Sequence, residues 1–431
     1  MADVATSAAI EPAPAEAPLA RWPLIQRIAF RFLCAYFVLY CVPGTVLYAI
    51  PGGRYLARPI AALWNTVCPW SAIHVFHLSG QRTTYFVTGS GDTTLAYIQD
   101  LLIVMLATCA ALVWSILDRR RPNYTALHAW LRLLVRYTLA FILFSYGFAK
   151  VFPLQFQPAG LNRLTERFGD FSPMGVLWSF MGASLAYTIF AGAAEVTGGL
   201  LLLFRRTASL GALVSFAVLA NVVALNFCYD VPVKLYSANL LFMAAFLAAP
   251  DAKRLANVLV LNRPAPAADL SAPHFERRWA RIAVTVLWIA FAGWELFGQI
   301  RGGWQRYEQT YHGPLRGTYE VESFLSNGRD VPPSGDPSRW HLVEFGAQYL
   351  MLRTMNDSPL GFRAAYDANS HTIRLTGGGA LQWSQPDDQH LTLDGGVRGN
   401  TLSIKLRTMG SSGFPLTGRG FHWIQEFPFN R

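Results

Sequence analysis

A bundle of about seven membrane-spanning helices followed by a closed antiparallel β-barrel is the fold class this sequence predicts. Three observations predict it. Hydrophobic residues make up 52% of the 431 positions and charged residues only 14%, which is too apolar for an ordinary soluble chain. The apolar residues fall in membrane-length runs whose ends carry arginines, as spanning helices require. Beyond Arg301 the pattern changes to short β-rich segments of alternating polarity between Gly, Asn, Asp and Pro turns, the signature of strands.

Taken in order, residues 1–20 are rich in Ala, Pro and Glu. They lack an apolar core to bury and read as a disordered tail rather than a cleavable signal. Residues 21–129 hold the first two spans and an outer loop. The first span, 22–50, carries Arg27 and Arg31 at its start and is kinked or ended by Pro43-Gly44. An amphipathic stretch, 56–78, reads as a helix at the interface. GSGDTT at 89–94 reads as a glycine turn and helix start, with a place on the lip of an outer pocket as the alternative. The second span is 95–117. Residues 130–255 hold four more spans, at 130–152, 177–204, 208–228 and 234–249. Residues 256–300 form a basic linker and a seventh span at 282–300.

Orientation follows from the cations. Arg119, Arg120, Arg121, Arg132, Arg205, Arg206, Lys253, Arg254, Arg277, Arg278 and Arg281 fall on one side if there are seven spans. That side is expected to be cytoplasmic, with the N-terminus inside and residues 301–431 outside, in the periplasm. The excess of 36 Lys and Arg over 26 Asp and Glu therefore implies anionic lipid headgroups as the partner, and no nucleic acid. In the last domain, eight to ten strands in about 115 residues suggest closure into a barrel, because closure removes sheet edges. Arg419, His422 and Trp423 are expected to help close it, with the arginine over the indole.

The chemistry-bearing candidates centre on Glu195, near the middle of an apolar run. A charge at that depth costs at least about 2.5 kcal/mol, so it faces the bundle interior and finds a partner. Thr188, Gly192, Glu195, Gly198 and Gly199 share one helical face, and the small residues let neighbouring helices approach closely. Two readings stand: a group that carries a proton or binds a ligand, and a structural carboxylate holding helices together. Lys150 stands near the end of its span, where a long side chain snorkels to the interface or, with Tyr146 at i−4, points inward. Asn221, Asn226, Asp230, Lys234, Tyr236 and Asn239 gather around one turn. Asp230 and Lys234 either cap that turn or converge with Glu195 and Lys150 on an outward-facing polar pocket suited to a small lipophilic ligand. The catalytic set on the second reading is Glu195, Lys150 and Asp230, and the ligand-binding set is Tyr146, Asn221, Asn226, Lys234, Tyr236 and Asn239. His74 and His77 have i,i+3 spacing, but a metal needs a third ligand that the sequence does not supply. Cys34, Cys41, Cys68, Cys109 and Cys228 show no CxxC spacing, and a disulfide between Cys68 and Cys228 is left open.

The segments YGFAKVF (146–152) and AEVTGGLLLLF (194–204), with two further spans ending in PDAKRL, resemble the DoxX family of four-span bacterial membrane proteins over residues 130–255. The resemblance places the family's recurrent Lys and Glu at Lys150 and Glu195. It implies a bacterial inner-membrane setting and a link to thiosulfate:quinone oxidoreductase subunits and membrane redox-stress complexes, with a quinone as cofactor and a redox partner protein as electron source. GTYEVESF (317–324) is similar to the first strand of lipocalin-type barrels, with Tyr319 in place of the usual Trp. The leading expectation is thus a DoxX-like protein that binds a quinone or lipid, as a subunit of a membrane redox complex. The absence of CxxC counts against a complete enzyme. The alternatives are a non-enzymatic lipid carrier or envelope assembly factor acting through the barrel, and then a transporter.

Overall fold

The computed structural model describes residues 21–86, 88–267, 277–312, 315–409, 414–420, 422–423 and 425–426. The expected disordered tail, 1–20, lies outside them. Among the described residues seven helices are long and apolar enough to cross a membrane: Leu24–Ala49, Thr94–Leu117, Thr125–Val151, Leu185–Leu203, Ala208–Cys228, Lys234–Leu259 and Arg278–Tyr311. A closed β-barrel follows them, so the chain is a membrane protein with an appended barrel. The chain forms two compact units, divided within the third of these helices between residues 138 and 139.

The first unit contains α1 (Leu24–Cys41), α2 (Leu47–Ala49), α3 (Arg54–His74), α4 (Thr94–Leu117) and the start of α5 (Thr125–Val151). Pro43 lacks the N–H that a regular helix needs, and the chain passes it in a π-helical turn, Val42–Val46. Arg31 and Arg27 are buried rather than interfacial. Arg31 donates to the Asp118 carbonyl at 2.8 Å, the Ser115 hydroxyl at 2.8 Å and the Tyr124 hydroxyl at 2.9 Å. Arg27 donates to the carbonyls of Arg119 and Arg121. These carbonyls belong to the turn that follows α4, and the two cations satisfy them there. α3 fills the amphipathic stretch and packs Cys68 and Ala72 against Leu95 and Ile98 of α4. His74 lies edge-on to Trp70 at 5.0 Å, and no cluster of three metal-ligating side chains exists among the described residues. All five cysteines are free thiols, so Cys68 and Cys228 form no disulfide.

In the second unit the rest of α5 leads to the short α6 (Leu161–Thr165), then α7 (Pro173–Ala183), α8 (Leu185–Leu203), α9 (Ala208–Cys228), α10 (Lys234–Ala248), α11 (Ala252–Leu259) and α12 (Arg278–Tyr311). The single span expected over 177–204 is two helices. The break is at Ser184, whose extended backbone leaves its hydroxyl to cap Tyr187 N–H. The Thr188 hydroxyl bridges the break to the Met181 carbonyl. Backbone from the preceding loop occupies the space beside Gly182, where a Cβ would meet the Gln157 carbonyl at 2.2 Å. α12 lies along α5, with Phe152 filling the notch at Gly303 and the Tyr311 hydroxyl donating to the Pro153 carbonyl at 2.9 Å.

The barrel consists of β1 (Gly317–Ser326), β3 (Trp340–Phe345), β4 (Tyr349–Thr354), β5 (Pro359–Asp367), β6 (Thr372–Leu375), β7 (Gly379–Ser384), β8 (His390–Val397) and β9 (Asn400–Met409). A two-residue β2 (Arg329–Asp330) forms a hairpin on β1. Each strand pairs antiparallel with the next, and β1 pairs with β9 to close eight strands. Inward positions are apolar: Leu350 and Leu352, Leu391 and Leu393, Leu402, Ile404 and Leu406 recur at period two. Val321 and Phe324 both face inward although three apart, because a bulge lies between Val321 and Ser323. Closure is thus made by backbone pairing of β1 and β9. Arg419 donates to Gln425 and Trp423 is 91% exposed.

The barrel grips the bundle through the loop after α5. Glu344 of β3 accepts Leu161 N–H at 2.8 Å, and Gly160 leaves room for it, since a Cβ there would lie 2.7 Å from its Oε1. Arg353 of β4 donates to the Asn162 carbonyl at 3.3 Å. Burial pushes the Glu344 carboxyl above its ordinary 4.5, against the pull of Leu161 N–H, the Tyr349 hydroxyl and Arg316. A carboxyl that holds its proton more tightly when folded contributes stability that is full below the unfolded pKa and is lost as pH rises through the native one. Wild type minus Glu344→Gln, compared by thermal unfolding in detergent from about pH 4 to pH 8, should therefore fall with rising pH. The glutamine keeps an acceptor for Leu161 and removes the charge. Parallel profiles would refute the assignment.

Candidate functional site

α5 and α8 cross at two facing glycines. A Cβ on Gly147 would meet Val196 Cγ2 at 2.6 Å and the Gly192 carbonyl at 2.8 Å. One on Gly192 would meet the Gly147 carbonyl at 2.6 Å and Lys150 Cβ at 2.7 Å. Contacts this short are open only to glycine, so the two backbones touch. Gly199 repeats the device against Phe144 and Ala140. Three residues beyond each crossing glycine stand Lys150 and Glu195. The Lys150 ammonium lies 2.9 Å from both carboxylate oxygens of Glu195 and 3.4 Å from the Tyr146 carbonyl. Lys150 is 6% exposed and Glu195 4%. The lysine does not snorkel, because a carboxylate one helix away satisfies it. The rings of Tyr146 and Phe156 lie 5.7 and 6.0 Å from the ammonium, within cation–π range.

The pair forms part of the wall of a cavity of ≈ 490 Å³ lined by α5, α7, α8, α9, α10 and the turn before α10. That volume lies in the range of small-molecule sites, and a mostly apolar wall with few polar groups is their usual make-up. Here the apolar part includes Leu177, Trp178 and Met181 of α7, Phe190 of α8 and Leu225 of α9.

Of the residues expected at the site, Glu195, Lys150, Tyr146, Asn221, Asn226 and Tyr236 all line this cavity. Tyr146 and Tyr236 face each other with ring centroids 6.0 Å apart, and Asn226 donates to the Ser237 hydroxyl at 3.0 Å. Asp230, Lys234 and Asn239 do not line it. Asp230 occupies the left-handed conformation that reverses the chain after α9 (φ 51°), a role Asp tolerates. This turns its side chain outward, 82% exposed, onto Lys234 at 2.7 Å. Asn239 is buried and bonds back to the Leu235 carbonyl within its own helix.

Several contributors were not singled out from sequence. Asp92, read as part of a helix start, instead accepts the N–H groups of Lys234 and Leu235 at 2.8 and 3.0 Å. It thereby caps α10 from a remote segment. Gly91 N–H bonds the Pro232 carbonyl, whereas Gly89 lies at a lip of the cavity, as the alternative reading of GSGDTT has it. Gln155 and Phe156, from the loop, and Met174 and Trp178, from α7, also line it. The break at Ser184 was the missing signal, since a continuous span would have carried these α7 side chains elsewhere.

Comparison with known proteins adds one relation. The chain is 34% identical over 125 residues to the uncharacterized protein YwoB of Bacillus subtilis (strain 168), which covers 28% of this chain and 78% of that protein. Over that stretch the chain belongs to the family of YwoB. No family profile matches the chain, and no solved structure matches it.

Two outcomes follow from the crossing and the pair. Gly192→Ala should destabilise the protein by about 1–3 kcal/mol through overpacking. Gly298→Ala, where a Cβ meets nothing within 4 Å, should not, with both read by thermal unfolding in detergent. Lys150→Met and Glu195→Leu should each cost about 3–5 kcal/mol, because each leaves a buried charge alone. The double variant should recover most of that loss, and additive losses would show that the two groups are not coupled.

Proposed function

We propose that this chain is a DoxX-like protein of a bacterial inner membrane that binds a lipophilic small molecule, a quinone or a lipid, in the cavity beside Lys150 and Glu195. The N-terminus is cytoplasmic and the barrel periplasmic on this reading, as the distribution of Lys and Arg supports. The observation that carries it is a buried ion pair set in the wall of an otherwise largely apolar cavity of ligand size. Glu195 offers an acceptor to the polar end of such a molecule, with Lys150 holding it in place, and the aliphatic and aromatic walls take its tail. Glu195 also holds or releases a proton beside a bound carbonyl or hydroxyl, which suits a subunit of a membrane redox complex whose electrons come from a partner protein.

A second reading, a lipid carrier or envelope assembly factor acting through the barrel, draws on the junction at Glu344 and Arg353. There the barrel holds the loop that also walls the cavity.

The test is the copurified ligand. Detergent-solubilised wild type, extracted and analysed by mass, should carry a quinone on the first reading or a lipid on the second. Glu195→Gln should lower the retained amount about tenfold, whereas Asp230→Asn should leave it unchanged. Wild type that retains neither class would overturn the proposal.

A further inference from the structure

Asn226, two residues before the end of α9, is 6% exposed. It belongs to the wall of the ≈ 490 Å³ cavity together with Ser237, in the first turn of α10. Two hydrogen bonds fix which way its amide points. The Ser237 hydroxyl donates its one proton to the Lys234 carbonyl at 3.0 Å, so towards Asn226 it can only accept. Asn226 therefore turns its Nδ2 to Ser237, at 3.0 Å, and Oδ1 points the other way. Among the described residues no donor reaches that oxygen. It is not sealed either. The side-chain atoms enclosed without a partner lie elsewhere, and the surface that Oδ1 keeps opens on the cavity its residue lines.

The other polar groups of the wall differ in whether the fold holds their direction. Lys150 directs its N–H groups at both oxygens of Glu195 and at the Tyr146 carbonyl. Glu195, paired in this way, keeps lone pairs and accepts. The hydroxyls of Tyr146 and Tyr187, also in the wall, rotate and serve a ligand donor or acceptor alike. The groups whose polarity is held are thus Glu195 and Asn226 Oδ1, and both accept. A bound molecule that brings a donor satisfies such an oxygen, and one with acceptors alone leaves it buried and unpaired. Building on the reading above, we propose that Asn226, locked by Ser237, is a specificity-determining residue of the cavity, and that the occupant is an amphiphile whose head carries a free hydroxyl donating to Asn226 Oδ1. The same head chemistry belongs to a quinol and to a glycerolipid with an unesterified hydroxyl. A quinone, whose ring oxygens only accept, is the weaker ligand on this account.

The experiment uses the full chain in detergent, without oxygen, and two matched pairs of probes: a decyl-benzoquinol with its dimethyl ether, and dioleoylglycerol with its O-methyl ether. Equilibrium binding should favour the hydroxyl-bearing member by about tenfold in whichever pair binds, since a buried acceptor left unpaired is worth roughly that factor. Which pair binds distinguishes a quinol from a lipid source. Asn226→Leu removes the acceptor and should lose most of the preference. Ser237→Ala keeps Asn226 but frees its amide to turn its Nδ2 to an ether oxygen, so the preference should fall there too while the hydroxyl-bearing probe still binds. The second variant carries the test if the first does not fold. Equal or reversed preference in a pair that binds wild type, or a preference that either folded variant leaves unchanged, overturns the role of Asn226 and leaves the proposed function standing. Binding of none of the four probes overturns both.

Discussion

The closest constraint in this molecule is the contact of two helix backbones at Gly147 and Gly192. Everything about the pair one turn further on follows from it. With the backbones in contact, Lys150 and Glu195 sit at hydrogen-bonding distance without either side chain having to stretch. Each therefore offsets part of the other's cost of burial in a low-dielectric interior. A bulkier residue at either crossing point would separate the helices by the width of a methyl group or more. The ion pair is a consequence of the glycines, and the charge alone does not bring the helices together.

A second dependence runs through the loop between α5 and α6. Phe152 and Pro153 tie it to α12, Gln155 and Phe156 wall the cavity, and Leu161 and Asn162 hold the barrel. One short connection thus fixes the barrel, the last helix and one side of the site. The break at Ser184 belongs to the same arrangement. The loop backbone at Gln157 lies where a side chain on Gly182 would be, and α7 ends there.

Much of this was legible in the sequence because the physics is local and periodic. Thr188, Gly192, Glu195, Gly198 and Gly199 were placed on one face, and all five are buried on α8. The alternation after residue 301 gave the barrel strands, and membrane-length runs gave the spans. What was not legible depends on partners distant in the chain. Hydropathy runs unbroken through Ser184, so the break could not be seen. Lys150 at the end of a span has the sequence of a snorkelling residue, and only Glu195 on another helix makes it a buried one. Asp230 was open to two readings, orienting its turn or joining the pocket, and a left-handed backbone at the end of α9 leaves it on Lys234 and away from the cavity.

The pairing also bears on what the cavity can admit. A lone carboxylate in such a wall would be driven to its neutral form, and a lone ammonium likewise. Together they stay in place as a fixed dipole with no net charge. On the proposed reading a neutral molecule with a polar end would meet an acceptor already oriented by the helix crossing, and it would enter without bringing a counter-ion. A charged molecule would have to be desolvated against a site that offers it no net compensation. On the proposed reading the arrangement would favour a neutral head over a charged one.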